Sequence, residues 1–223
     1  MERLARWICC ALGEINEYVI ARPHLAVTMD DVPTSELDRT LTKRELRQRL
    51  LSARAELSPE QLSANGRSLA EQVLARPDIA AARTVALYVS TAGEPRTGRL
   101  RAELRSRGIN VLLPVHRPDG DLDWAPDQGD AALVAGRFGI NEPAGPWLGR
   151  SALAAAQVVI VPALAVTPEG TRLGRGGGSY DRALPRVPEG VPVLALLHPG
   201  ELLEAGTIPV EEHDAPVTGW VVA

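Results

Sequence analysis

This sequence of 223 residues has few cysteines and few aromatic residues, and it has no excess of basic charge. Its two cysteines, adjacent at Cys9 and Cys10, cannot form the disulfide framework of a small secreted domain. The formal net charge is −4 and no basic stripe stands out, which argues against nucleic acid as the main partner. Aromatic residues make up 4% of the chain, so aliphatic side chains must dominate the core.

Long apolar runs are missing as well. The longest uncharged stretch, Ser151 to Pro168, is interrupted by Pro162 and is not typical of a membrane span. Glu14 and Glu17 interrupt the N-terminus, which therefore lacks the charged-then-apolar pattern of a signal peptide. We expect a soluble cytoplasmic protein with no membrane partner, present as a monomer or a weak dimer.

The pattern of residues changes near position 40. Residues 1–39 mix isolated apolar residues with prolines and acids without a sustained period, which predicts a poorly ordered N-terminal extension or one short helix within it. Thr42 and Glu45 then have the spacing of a capping box, and Ser58 with Gln61 repeats it, so two helices should follow. We expect residues 40–223 to form a single domain.

Short apolar runs alternate with helical segments in the rest of the chain. The strand candidates are 84–90, 109–115, 157–161 and 191–197. A helix is predicted over 97–107, and the turn Pro118-Asp119-Gly120 predicts a hairpin. Continuous apolar strands separated by helices indicate an α/β fold with a mostly parallel sheet covered on both faces.

The most informative segment is RLGRGGGSYD, which runs from Arg172 to Asp181. Its four glycines let the backbone approach a ligand and point several N–H groups into one concavity, with a predicted helix start directly behind. Glycines alone would also suit a flexible surface loop, but Arg172 and Arg175 add donors suited to phosphates. The segment lacks the Gly-Lys-Ser/Thr ending of a Walker A loop and does not fit G-x-G-x-x-G.

Five stretches in the same order resemble the 5-formyltetrahydrofolate cyclo-ligase family. They are KRELR (43–47), YVSTAGEPRT (88–97), FGINEP (138–143), VPALAVTPEGTRLGRGGGSYDRAL (161–184) and IPVEEHDAP (208–216). Each stretch is weakly specific, whereas five in order are highly specific. The resemblance implies a three-layer α/β/α sandwich and ATP-dependent closure of 5-formyltetrahydrofolate to 5,10-methenyltetrahydrofolate.

The resemblance also implies an ATP site in which Arg175 and Tyr180 act in catalysis. The implied ATP-binding residues are Lys43, Arg47, Arg172, Gly174, Arg175, Gly176, Gly177, Gly178, Ser179 and Tyr180. Asp181 is the implied Mg²⁺ ligand and Asp214 a second candidate, since Mg²⁺ at phosphates takes one or two carboxylates. Outside the family context, Asp181 would suit a helix cap and the Lys43/Arg47 pair a solvated basic face.

For the folate, the resemblance implies contacts from Glu94 and Val89, and Trp147 offers a stacking surface for a flat ring. One residue departs from the family pattern, because Ser179 stands where many members have a tyrosine. That change leaves open a non-catalytic relative that binds folate or nucleotide. A sugar-phosphate or CoA-handling protein would explain the glycine loop but not the Lys43/Arg47 helix.

Overall fold

The computed structural model describes residues 41–223. The predicted extension over 1–39 lies outside the described residues, and the division of the chain near residue 40 stays a prediction. The helices described are α1 (Lys43–Ala55), α2 (Pro59–Leu74), α3 (Pro77–Ala81), α4 (Gly98–Ser106) and α5 (Ser179–Ala183). The strands described are β1 (Thr84–Ala86), β2 (Asn110–His116), β3 (Leu122–Pro126), β4 (Leu133–Ala135), β5 (Asn141–Pro143), β6 (Val158–Pro162), β7 (Ala165–Val166), β8 (Arg172–Leu173), β9 (Val193–Leu197) and β10 (Gly219–Val222).

Both predicted capping boxes are present and start the first two helices. At α1, the backbone N–H of Glu45 donates to Thr42 Oγ1 (3.3 Å), and the N–H of Thr42 donates to Glu45 Oε2 (2.9 Å). Ser58 and Gln61 make the same reciprocal pair at α2, with distances of 3.2 and 2.8 Å. Each box satisfies donors that the first turn of a helix leaves without a partner.

Six strands form one sheet in the order β10-β9-β6-β1-β2-β3. Neighbouring strands are parallel except β3, which runs antiparallel to β2 after the predicted turn. Two small antiparallel pairs, β4–β5 and β7–β8, lie outside this sheet and were not predicted. The prediction of a mostly parallel α/β sheet is confirmed.

Alternate residues of the central strands pack on opposite faces of the sheet. On one face, Val158 and Ile160 of β6 join a cluster that includes Leu69 of α2 and Leu104 of α4. On the other face, residues such as Val159 pack with α5 and with the 3-10 helices Arg150–Ala155 and Leu184–Arg186. Helical layers on both faces explain why β6 and β9 are continuous apolar runs. This is the three-layer α/β/α sandwich that was expected.

The strand predicted over 84–90 is too long, because regular pairing of β1 ends at Ala86. Beyond Ala86, the side chain of Thr97 forms hydrogen bonds with backbone groups that would otherwise pair with a neighbouring strand. Its hydroxyl donates to Tyr88 O (2.7 Å) and accepts from the N–H of Ser90 (3.3 Å). Residues 88–97, here called the 88–97 loop, therefore fold back toward the start of α4 and carry Glu94.

Helix α1 packs against the β7–β8 hairpin rather than on the main sheet. Its buried residues Leu46 and Leu50 form a third cluster with Leu164, Leu173 and Ile208. Since β8 leads directly into the glycines, this packing places the basic residues of α1 beside them. Within residues 41–223, no helix has the length and apolarity needed to cross a bilayer.

Candidate active site

Segments that follow three neighbouring parallel strands meet at the carboxyl edge of the sheet. The 88–97 loop follows β1, the β7–β8 hairpin follows β6, and residues 198–201 follow β9. The glycine loop, defined as residues 174–178, leaves β8 at this edge and leads into α5. Open α/β sheets bind their ligands at this edge, outside the carboxyl ends of the strands.

The glycine loop uses backbone conformations that few other residues adopt. Gly176 has φ of 98° and Gly178 has φ of 67°, and Gly178 directly precedes α5. A β-carbon on Gly176 would lie 3.4 Å from the guanidinium carbon of Arg47. At Gly177 the nearest such contact is the hydroxyl of Ser179 at 3.9 Å, so the middle of the loop faces open space. A ligand can therefore approach the backbone closely there.

Two arginines hold carbonyl groups of the glycine loop. Arg47 Nε donates to Gly174 O (2.9 Å), and Arg182 Nη2 donates to Gly177 O (2.7 Å) and to Gly120 O (2.6 Å). In a trans peptide the N–H points opposite to the carbonyl, so the N–H groups that follow these carbonyls point away from the arginines. The N–H groups of Arg175 and Gly178 are thus turned away from the arginines that hold the loop. Arg182 was missed, although it lies inside the stretch 161–184 that carries the family resemblance.

Arg175 connects the glycine loop to the 88–97 loop. Its Nε lies 3.2 Å from Glu94 Oε1, and the guanidinium is half exposed whereas Glu94 is buried. The other oxygen of Glu94 accepts the N–H of Thr91 at 2.8 Å, which holds the carboxylate in its own turn. The structure therefore brings together Arg175, predicted to act on ATP, and Glu94, predicted to hold folate.

Arg172, Tyr180 and Asp181 form a second charged group behind the glycine loop. Arg172 Nη2 donates to Asp181 Oδ1 (2.6 Å), and its guanidinium carbon lies 5.9 Å from the centre of the Tyr180 ring. Arg172 Nε and the Tyr180 hydroxyl are buried without a hydrogen-bond partner among the described residues. Burial, with the nearby charge of Glu94, raises the pKa of Tyr180 well above its ordinary value, so the hydroxyl is a neutral donor.

Lys43 pairs with acids of the closing segment. Its Nζ lies 2.6 Å from Asp214 Oδ2 and 3.1 Å from Glu211 Oε2. Burial is the largest single influence and favours the neutral acid, but the hydrogen bond and charge of Lys43 together with a backbone hydrogen bond at Glu211 hold the pKa of Asp214 below its ordinary value. Asp181 Oδ1 accepts the N–H of Ala215 (3.3 Å), so the two predicted metal ligands lie on adjoining segments.

The residues predicted to hold folate are less closely grouped. Val89 is partly buried and packs against the core cluster on the α2–α4 face. Trp147 is 50% exposed, and the guanidinium of Arg117 stacks 4.5 Å from its ring centre. Glu94 contacts the glycine loop, whereas Trp147 lies by the end of β2. The role of Trp147 in stacking on a substrate ring stays a prediction.

The residues present fit a nucleotide phosphate chain with Mg²⁺. Buried donors that have no partner among residues 41–223, two glycines with positive φ and several arginines provide the groups that a phosphate chain requires. Carboxylate oxygens are the ligands Mg²⁺ prefers. Asp214 also belongs to a group with Glu211 and His213 whose ligand atoms all lie within 4.8 Å of one another.

Sequence reasoning missed a buried polar network behind the 88–97 loop. Arg54 Nε of α1 lies 2.6 Å from Glu201 Oε1, and Glu201 Oε2 accepts the N–H of His198 at 2.8 Å. One signal was available, because Arg54 continues the buried stripe of Leu46 and Leu50 at four-residue spacing. A charged residue in such a stripe indicates a buried partner.

The fold and the site define a class of protein: an α/β sandwich with an arginine-bearing glycine loop at the carboxyl edge of a mostly parallel sheet. The model of the 5-formyltetrahydrofolate cyclo-ligase family matches residues 29–223. The chain belongs to this family, as the five motifs indicated. It is therefore an enzyme, a ligase of folate one-carbon chemistry.

Individual relatives agree with this membership. The 5-formyltetrahydrofolate cyclo-ligase of Mycolicibacterium smegmatis is 42% identical over 141 residues, 61% of this chain and 71% of that protein. The Escherichia coli protein of the same name is 34% identical over 171 residues, 75% and 93% of the two chains. The solved structure of Aquifex aeolicus 5,10-methenyltetrahydrofolate synthetase has a TM-score of 0.69 and 28% identity, covering 82% and 90%.

Proposed function

We propose that this protein closes 5-formyltetrahydrofolate to 5,10-methenyltetrahydrofolate with ATP and Mg²⁺, releasing ADP and phosphate. The formyl oxygen attacks the γ-phosphate and displaces ADP. The neighbouring amine then attacks the activated carbon and releases its proton to solvent, and phosphate leaves as the ring closes. This chemistry requires the formyl group and the γ-phosphate to lie side by side. The contact between Arg175 Nε and Glu94 Oε1 at 3.2 Å carries the proposal, because it joins the predicted phosphate side to the predicted folate side.

On the phosphate side, the protein mainly neutralises and positions charge. The loop N–H groups would bind phosphate oxygens, with Arg47, Arg172 and Lys43 around them. The neutral hydroxyl of Tyr180 supplies one more donor, since no described residue takes it. Asp181 and Asp214 would hold Mg²⁺, which when bound neutralises phosphate charge and orients the chain.

On the folate side, the buried carboxylate of Glu94 would accept hydrogen bonds from the amino and ring N–H groups of the pterin. Val89 would line the same pocket, and Trp147 would stack on a flat ring of the substrate. The half-exposed guanidinium of Arg175 can then leave Glu94 and contact the transferring phosphate. We also propose that the enzyme works in the cytoplasm, as a monomer or a weak dimer, without a nucleic-acid or membrane partner.

Isotope transfer tests this proposal. Substrate labelled with ¹⁸O in the formyl group should yield one labelled oxygen in each released phosphate, because the formyl oxygen leaves bonded to phosphorus. Mass spectrometry of the phosphate reads this directly, and omission of Mg²⁺ is the control. Unlabelled phosphate formed together with the cyclised product would overturn phosphorylation of the formyl oxygen.

A further inference from the structure

His198 lies directly after β9, beneath the loop that carries Glu94, and its side chain is not among the groups proposed to contact ATP, Mg²⁺ or folate. It is 1% exposed. Its Nδ1 lies 2.9 Å from Asn65 Nδ2 of α2, and its Nε2 lies 3.3 Å from the carbonyl oxygen of Gly93. The ring therefore connects α2 to Gly93, the residue directly before Glu94.

The two neighbours of the ring fix its tautomer. An amide nitrogen can only donate, so Nδ1 accepts from Asn65 and the proton of the neutral ring lies on Nε2. Nε2 is then the donor to Gly93 O. Burial lowers the pKa of His198, which keeps the ring neutral at pH 7.

The support for His198 is itself rigid and polar. Glu201 accepts the N–H of His198 (2.8 Å) and forms a buried ion pair with Arg54 (2.6 Å). Arg54 Nη2 also donates to the carbonyl of Ala163 at the end of β6. Because Arg54 belongs to the helix that carries Lys43 and Arg47, one network joins the proposed ATP side to the 88–97 loop.

We propose that His198 is a positioning residue that fixes the Gly93–Glu94 peptide and so aims the Glu94 carboxylate at the folate. Gly93 has φ of 75°, which glycine adopts readily. The N–H of the Gly93–Glu94 peptide donates to Thr91 O (3.1 Å), so His198 holds the carbonyl side of a peptide whose other side is held by the turn. Loss of the hydrogen bond from His198 would leave this peptide held on one side and would let Glu94 shift. The inference rests on the proposed function, since it assigns Glu94 to folate.

Three substitutions separate positioning from simple packing. His198→Ala removes the ring, His198→Gln places an amide donor near the position of Nε2, and His198→Asn is too short to reach Gly93. We expect the KM for 5-formyltetrahydrofolate to rise about three- to tenfold in the Ala and Asn variants, the loss expected for one hydrogen bond. The folate KM of His198→Gln should lie near the wild-type value. The KM for ATP should stay within about twofold of the wild-type value in all three variants.

Gln72→Ala is the matched control, because it removes another hydrogen bond of α2, to Val222 O at 2.8 Å, away from the loop. Circular dichroism verifies that each variant is folded. The inference would be overturned if the folate KM were the same in the Gln and Asn variants, or if the KM values for folate and ATP rose in parallel. The proposed function would stand in either case. A wild-type protein that forms no cyclised product would overturn both.

Discussion

Replacement of Arg175 by alanine separates a catalytic arginine from a structural one. The guanidinium is 49% exposed and contacts Glu94 at 3.2 Å, with two longer contacts of 3.4 Å to Thr91 and Ala92. Arg175 is half exposed but Glu94 is buried, so the substitution removes the ion-pair partner of a buried carboxylate, which keeps its hydrogen bond from the N–H of Thr91 (2.8 Å). We expect this to cost about 1–2 kcal/mol of stability. The variant should therefore fold normally.

Its effect on turnover should be much larger. A donor aimed at charge that develops in the transition state contributes about 3–4 kcal/mol, or roughly 100- to 1000-fold in kcat. Arg175→Lys keeps the charge but loses the planar fork of donors, so it should recover only part of this activity. Arg99→Ala is the matched control, because Arg99 is 50% exposed and its salt bridge within residues 41–223 is a long one, to Glu71 at 3.8 Å.

The assay is the absorbance of the cyclised product under saturating ATP and folate, with urea unfolding measured in parallel. We expect Arg99→Ala to resemble wild type in both measurements. Unchanged kcat in Arg175→Ala would refute the role of the glycine loop in the reaction. A large loss of stability in that variant would show that its effect is structural.

Three further predictions concern the supporting structure. Asp127→Asn should destabilise the protein by about 3 kcal/mol in urea unfolding, because the buried Arg101 loses its bidentate partner at 2.7 and 2.9 Å. Gly176→Ala should raise the KM for ATP about tenfold, since φ is 98° and the new β-carbon would crowd Arg47 at 3.4 Å. Burial lowers the pKa of His198 from 6.5, so between that lowered value and 6.5 the unfolded chain binds more protons than the folded one. Stability should therefore fall as the pH drops through this window, and the decline should be smaller in His198→Gln.

Controls for these predictions are available in the chain. Gly190 has a similar positive φ of 82°, and no heavy atom of the described part of the chain lies within 4 Å of a β-carbon added there, so Gly190→Ala should leave the KM for ATP unchanged. An Asp127→Asn protein as stable as wild type would contradict the assignment of a buried ion pair. Equal pH dependence of unfolding in wild type and His198→Gln would contradict the low pKa of that histidine.

Much of the fold could be predicted because its signals are local. Capping boxes at Thr42 and Ser58 act within one turn, and continuous apolar runs such as β6 directly reflect burial on both faces. The end of β1 could not be predicted, since the hydroxyl of Thr97 competes for backbone groups of residues seven and nine positions earlier. The strands β4, β5, β7 and β8 have two or three residues each, too few for a period to show.

The grouping of the candidate site residues is simplest where they belong to one motif. The glycine loop, Arg172, Tyr180 and Asp181 lie within ten positions, and the structure places Arg172 against both Tyr180 and Asp181, while their roles stay predictions. The pairing of Arg175 with Glu94 joins residues 81 positions apart, and only the sheet topology brings them together. The network around His198 has no motif at all, because its members belong to α1, α2 and the end of β9.

The most direct test of the central claim is the ultraviolet absorbance of the wild-type protein mixed with 5-formyltetrahydrofolate, ATP and Mg²⁺. The cyclised product contains a conjugated amidinium that the substrate lacks, so its formation is visible without coupling enzymes. We predict a rise that requires both ATP and Mg²⁺. No rise, with ATP binding still detected by thermal shift, would contradict the account and favour a non-catalytic relative; Ser179→Tyr would then be the first substitution to make.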